Sequence, residues 1–336
     1  MFQVPAFWKS DLGTVERLAQ MCGAREFGCS AGGRALFAFA FGEHQVSAGS
    51  ANYSSACGAH DKKAYLSQPS RTLLLIGGEH GQETEGIAAL TALISLLHSG
   101  SDFVGGENPA LLSAARQMRV VIVPVANPDG RARVQPASML GGLQDDLSYW
   151  GMGTHKDGTL YRWPQCKFVH PMRGDVGFLG GYYNDDGINL MHDNFFHPMA
   201  RETQALLDLA EEEKPAIALH LHGGTNSIAD LLQTAYVPRE SGEAIRRLAL
   251  RCDAAARQEG LYFTVRDVPE KESGDTPPSF NLPSAMHHVC GCVSAVFESN
   301  EHICDQPGEK QNHAQVMRSH MILFEQAMRM ILEGDC

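Results

Sequence analysis

Four short apolar runs punctuate the chain, and each stops at a polar or glycine-rich corner. "TLLLIG" (72–77) runs into "GEHGQETEG", and "MRVVIVPVA" (a strand over about 119–126) into Asn127-Pro128-Asp129-Gly130. "KPAIALHLH" halts at Gly223-Gly224, and "CGCVSAVFE" near Glu298. Short apolar runs bounded by turn signals predict buried strands. Between them the period changes. Ile87, Leu90, Ile94 and Leu97 make one stripe at helical spacing. "RETQALLDLAEEE" and "GEAIRRLALRCDAAARQEG" read as helices on either side of the third strand, and "HAQVMRSHMILFEQAMRMILEG" closes the chain as another. Near the start, "GTVERLAQMC" predicts a helix and "GRALFAFAFG" a strand. This alternation predicts an α/β fold with a largely parallel or mixed sheet between helices. Residues 134–186, rich in Gly, Trp, Tyr and Pro, read as a long irregular excursion. One domain over 1–336 is the simplest partition.

A chain of 336 residues, 43% hydrophobic, can bury a substantial core. Its 27 basic and 39 acidic residues leave a net charge of −12, which argues against nonspecific nucleic-acid or anionic-membrane binding. No stretch has the length and apolarity of a transmembrane helix, and the first residues lack the basic start and apolar centre of a secretory signal. Nine scattered cysteines, an odd number, point away from a disulfide framework and towards a reducing, cytoplasmic setting. The oligomeric state is not legible.

Polar groups crowd at three predicted strand ends: His80 with Glu83, His220 with His222, and Glu298. Open α/β sheets bind ligands beyond the carboxyl ends of their strands, so the three clusters can share a crevice. Buried unpaired charge is costly, and a metal, a substrate or water could answer it. His80-Gly-Gln-Glu83 offers imidazole nitrogen and carboxylate oxygen, the donors zinc prefers. His80 is the only one of the fifteen histidines with Glu at the third position after it. His220 is the candidate third ligand. Strand alternation puts His222 on the same face, where it would line the pocket.

Taken in order, these segments resemble the M14 zinc carboxypeptidases. "GGEHGQETEG" is similar to the family's first zinc motif and "VPVANPDGRAR" to its Asn-Pro-Asp-Gly segment. "GCSAGGRALFAFAFG" resembles the stretch that opens many members, "LHLHGG" the third-ligand strand, and "VFESN" the strand with the catalytic glutamate. The resemblance spans about residues 12–300. It implies a three-layer α/β/α fold with a mixed, mostly parallel sheet, one Zn²⁺ on His80, Glu83 and His220, and Glu298 as general base and acid. The expected reaction is hydrolysis of an amide in a peptide or peptide-like substrate. An arginine should stabilise the oxyanion; Arg133 is the first candidate, with Arg131 and Arg162 as alternatives.

One stretch departs from the family. Members that release C-terminal residues carry an Asn-Arg pair that holds the substrate carboxylate, where this chain has "GINLMHDNFF". Histidine cannot give arginine's bidentate, permanently charged clamp. Asn189, His192 or Asp193 are the candidates to read some other group. A deacylase of N-acyl amino acids, related to aspartoacylase, is the alternative activity, and a non-enzymatic binding protein on the same scaffold a second. "GCSAG" matches a serine-hydrolase elbow around Ser30, but a strand follows it where that elbow needs a helix. "HHVCGC" (287–292) reads as strand with small buried cysteines.

Overall fold

The computed structural model describes residues 3–45, 48–224, 226–269 and 276–336. Its strands are β1 (Arg25–Cys29), β2 (Ala35–Phe41), β3 (Thr72–Gly77), β4 (Arg119–Val123), β5 (Gly153–Thr154), β6 (Phe178–Leu179), β7 (Ile217–Gly223), β8 (Ala229–Leu232), β9 (Phe263–Thr264) and β10 (Val293–Ser299). Eight of them form one sheet in the order β1-β2-β4-β3-β7-β10-β8-β9, while β5 and β6 pair apart from it. The centre, β4-β3-β7-β10, is parallel; β2 joins β4 and β8 joins β10 antiparallel. The sheet is therefore mixed and mostly parallel, as the alternating pattern implied.

The helices are α1 (Leu12–Cys22), α2 (Tyr53–Gly58), α3 (Thr84–Ser99), α4 (Pro109–Ala115), α5 (Pro128–Arg133), α6 (Gln144–Gly151), α7 (Arg201–Glu213), α8 (Arg239–Arg257), α9 (Leu282–Cys290) and α10 (His313–Glu333). Strand alternation divides the core into two layers. Leu73 and Leu75 of β3, Leu219 and Leu221 of β7 and Phe297 of β10 pack with α1, α3, α4, α8 and α10. Leu74 and Ile76, Ala218 and Val296 face the other way, towards α2, α7 and α9. No helix among the described residues is long and apolar enough to cross a membrane.

Two local expectations change. Asn127-Pro128-Asp129-Gly130 does not merely turn the chain; it starts α5, with the Asn127 side chain accepting from Gly130 N at 2.8 Å. "HHVC" is the last turn of α9, not strand. Asn281 caps that helix, and Gly291, at φ 73°, stops it, so β10 begins only at Val293. Cys290 and Cys292 are nonetheless buried, and all nine cysteines are unpaired.

The 134–186 excursion carries α6, the β5–β6 pair and its own small core of Met152, Tyr161, Cys166, Met172 and Tyr183. It is pinned to the central loops by close backbone approach. Gly81 N donates to Gly181 O at 2.7 Å, and a Cβ on Gly81 would overlap the backbone of Gly130 and Arg131. Only glycine lets these loops meet.

Candidate metal centre

The parallel register decides which side chains reach the cleft. On the α2/α7/α9 face, β7 presents Ala218, His220 and His222 in ascending order, and β10 presents Ser294, Val296 and Glu298. His222 and Glu298 are register partners at the carboxyl end, whereas His220 sits two residues lower, level with Ile76 and Val296. Two strand residues span roughly 6.6 Å, too far for both imidazoles to face one ion in the same way.

His80, Glu83 and His222 form the cluster: their ligand atoms all lie within 4.8 Å of one another and all three residues are buried. His80 Nδ1 is 2.7 Å from Glu83 Oε1 and 3.3 Å from His222 Nδ1, and His222 Nδ1 is 2.8 Å from Glu83 Oε2. His220, the expected third ligand, is not part of this cluster. Fully buried, it places Nδ1 2.5 Å from Glu79 Oε1 and Nε2 3.1 Å from Ser294 Oγ, so both of its nitrogens are occupied below the site.

The outer nitrogens of the two clustered imidazoles are also held. His222 Nε2 lies 3.2 Å from Glu79 Oε2, and His80 Nε2 lies 3.2 Å from Asn189 Oδ1. Both therefore turn Nδ1 to the centre, the arrangement in which a buffering acceptor orients a metal-binding imidazole. Tyr182, delivered by the excursion, stacks on His80 at 3.8 Å between ring centres. Burial alone would raise the Glu79 and Glu83 carboxyls, but the adjoining imidazoles hold both well below the usual range. His222 is pushed well above its ordinary value, because Glu83 and Glu79 outweigh its burial. A donor set of two imidazoles and a carboxylate, dry and oriented from behind, suits a divalent ion with an open position.

These donors and Glu298 share a cleft of about 670 Å³. Burial pushes the Glu298 carboxyl up to about 7, with Glu83 and Asp230 adding to the rise and His222 and Lys167 opposing it. Glu85, in the first turn of α3, is also fully buried and pushed up to about 8, chiefly by burial.

Residues 13–261 match the family model described as zinc carboxypeptidase, Peptidase M14. The chain belongs to the M14 zinc carboxypeptidase family. It is a metallocarboxypeptidase-like hydrolase. Solved structures agree on the fold. A metallo-carboxypeptidase from Pseudomonas aeruginosa is 15% identical with a TM-score of 0.56, over 96% of this chain and 68% of the other. One from Burkholderia cenocepacia is 14% identical at 0.57, over 96% and 68%. Carboxypeptidase A from Helicoverpa armigera is 15% identical at 0.54, over 98% and 74%. No curated protein matches the chain significantly.

Within this zinc carboxypeptidase fold the remaining candidates separate. Arg133 is not in the cleft: it binds the carbonyls of Leu179, Gly180 and Tyr183 and the Asp185 carboxylate, and so secures the excursion. Arg131 is likewise spent on the carbonyls of Ser10, Val134 and Pro136. Arg162, the other alternative, does line the cleft, with Nη1 2.6 Å from Asp145. Of the substrate-reading candidates, His192 and His222 line the cleft. His192 is held neutral by burial, which pushes it down to about 3. Asn189 backs His80, and Asp193 accepts from the backbone of Asn194 and Ala200 instead of facing the cavity. Ser30 is a buried donor to Asp129 at 2.6 Å; Arg34 and Gly32 N bind the same carboxylate, so the opening segment serves as a brace for the Asn-Pro-Asp-Gly loop. Sequence reasoning missed Glu79 and Tyr182. Glu79 was visible as the acid directly before His80; Tyr182 gave no signal, because its position depends on the path of the excursion.

Proposed function

We propose that the chain cleaves the amide bond of a peptide or peptide-like substrate, with one zinc ion held by His80, Glu83 and His222 and with Glu298 as general base and acid. The observation carrying this reading is the placement of Glu298 beside His222, in register on the neighbouring strand and in the same cleft as all three donors.

Zinc, when bound, lowers the pKa of a water towards about 7 and polarises a carbonyl. The protein's own groups do the rest. Glu298, buried and poised near neutrality, accepts the proton of the attacking water and delivers it to the leaving nitrogen. Arg162 supplies positive charge at the cleft wall for the developing oxyanion, the role first expected of Arg133. Glu79 and Asn189 hold the two imidazoles in the tautomer that leaves Nδ1 free. On this reading residues 1–336 act as one catalytic unit whose 134–186 excursion supplies a wall of the cleft. The unpaired cysteines support a reducing compartment.

The test is a zinc-loaded preparation, its metal content measured, offered N-acylated dipeptides and N-acyl amino acids. Release of the C-terminal amino acid from the peptides supports the proposal. Loss of the acyl group as a small acid, with the peptide bond of the dipeptides left intact, would move the chain to the deacylases, and a zinc-saturated protein with no hydrolysis would refute it.

A further inference from the structure

Beyond Glu298 the cleft continues to a feature the chemistry above does not use. Asp230 on β8 is the register partner of Glu298, so His222, Glu298 and Asp230 form a row across three adjacent strands. Asp230 is buried and grips Arg266 with two parallel bonds, Nε to Oδ1 at 2.9 Å and Nη2 to Oδ2 at 2.6 Å. The Arg266 side chain is about half exposed and lines the cleft. Its Nη1 edge has no hydrogen-bond partner among the described residues. An arginine locked by a carboxylate on one edge, with the other open to a cavity, is pre-organised to receive an anion.

The row also fixes which part of a substrate would meet it. The scissile carbonyl must lie at the His222 end and the leaving nitrogen at Glu298. The leaving residue then extends one strand further, roughly 4.8 Å, to β8 and Arg266.

We propose that Arg266, fixed by Asp230, binds a side-chain carboxylate of the leaving residue, so that the enzyme prefers substrates ending in an acidic amino acid. The substrate class rests on the hydrolase reading; the carboxylate site itself does not. The cleft carries Arg162, Lys167 and Arg266 beside Glu83, Asp230, Glu298 and Glu301; Glu83 belongs to the donor cluster and Asp230 is neutralised by Arg266, whose outer edge stays open.

The test compares N-benzoyl-glycyl-glutamate with its glutamine and leucine counterparts on the zinc-loaded enzyme. Glutamate should exceed glutamine by at least about tenfold in kcat/KM, the value of a charge-assisted bond. The ratio should collapse towards unity in Arg266→Gln and in Asp230→Asn/Arg266→Gln, the paired change avoiding an orphaned buried carboxylate. Hydrolysis without a glutamate preference, or a preference that survives both variants, overturns the proposal. If none of the three peptides is cleaved, the hydrolase reading fails separately, and the site is judged by calorimetric titration of the glutamate peptide. Binding at least about tenfold weaker to the paired variant then supports it; equal affinity, or no binding to the unsubstituted protein, overturns it.

Discussion

Glu79→Gln isolates what holds the metal centre together. The carboxylate is fully buried and serves two imidazoles at once, His220 Nδ1 at 2.5 Å and His222 Nε2 at 3.2 Å. An amide keeps its shape but offers one acceptor and one donor, so one imidazole N–H must face an N–H. The apoprotein loses about one charge-assisted hydrogen bond, about 1.5–3 kcal/mol. Zinc affinity should fall about 10–100-fold, or about 1.4–2.7 kcal/mol, as for other carboxylates behind a metal-binding histidine. Competition with a chromogenic chelator measures the affinity, and urea unfolding of the metal-free protein the stability. His220→Gln is the control: it retains a donor towards Glu79, and its side chain sits below the cluster, so zinc affinity should stay near that of the unsubstituted protein. The reasoning is refuted if Glu79→Gln binds zinc undiminished while His220→Gln loses it, which would return His220 to the ligand set.

Glu298→Gln should keep its zinc by elemental analysis and lose about 10²–10⁴-fold in kcat; an unimpaired variant removes Glu298 from the mechanism. Because the Glu298 carboxyl is raised to about 7 and acts as a base only when ionised, kcat/KM should rise with pH through neutrality, and bound zinc should pull that limb to lower pH. A rate that is flat from pH 5 to 8, measured with enzyme shown to retain its metal, contradicts this. Gly81→Ala forces a methyl group into the backbone of Gly130 and Arg131 and should cost about 1–3 kcal/mol in urea unfolding, together with weaker zinc binding. An unchanged unfolding midpoint would show that the loops separate easily.

The strands, the α/β class and three of the four central site residues were legible because burial writes itself as short apolar runs with polar stops. His80, Glu83 and Glu298 each stand at such a stop. Which of the two histidines joins His80 and Glu83 was not legible, since alternation puts His220 and His222 on one face and only the register with β10 says which is higher. Which arginine reaches the cleft was hidden for a related reason. Arg133 follows the Asn-Pro-Asp-Gly loop closely in sequence, but carbonyls brought by residues 179–183 capture it, whereas Arg162 is returned to the cleft by the same excursion. "HHVCGC" shows the limit of alternation itself: the helix reveals its end only through Gly291.

The knot at Gly81, Gly130 and Gly181 has an evolutionary corollary. Because three separate loops share a point with no room for a single extra carbon, none can drift without dragging the others. Cleft-lining positions away from this point, such as Arg266 and His192, are free of that constraint.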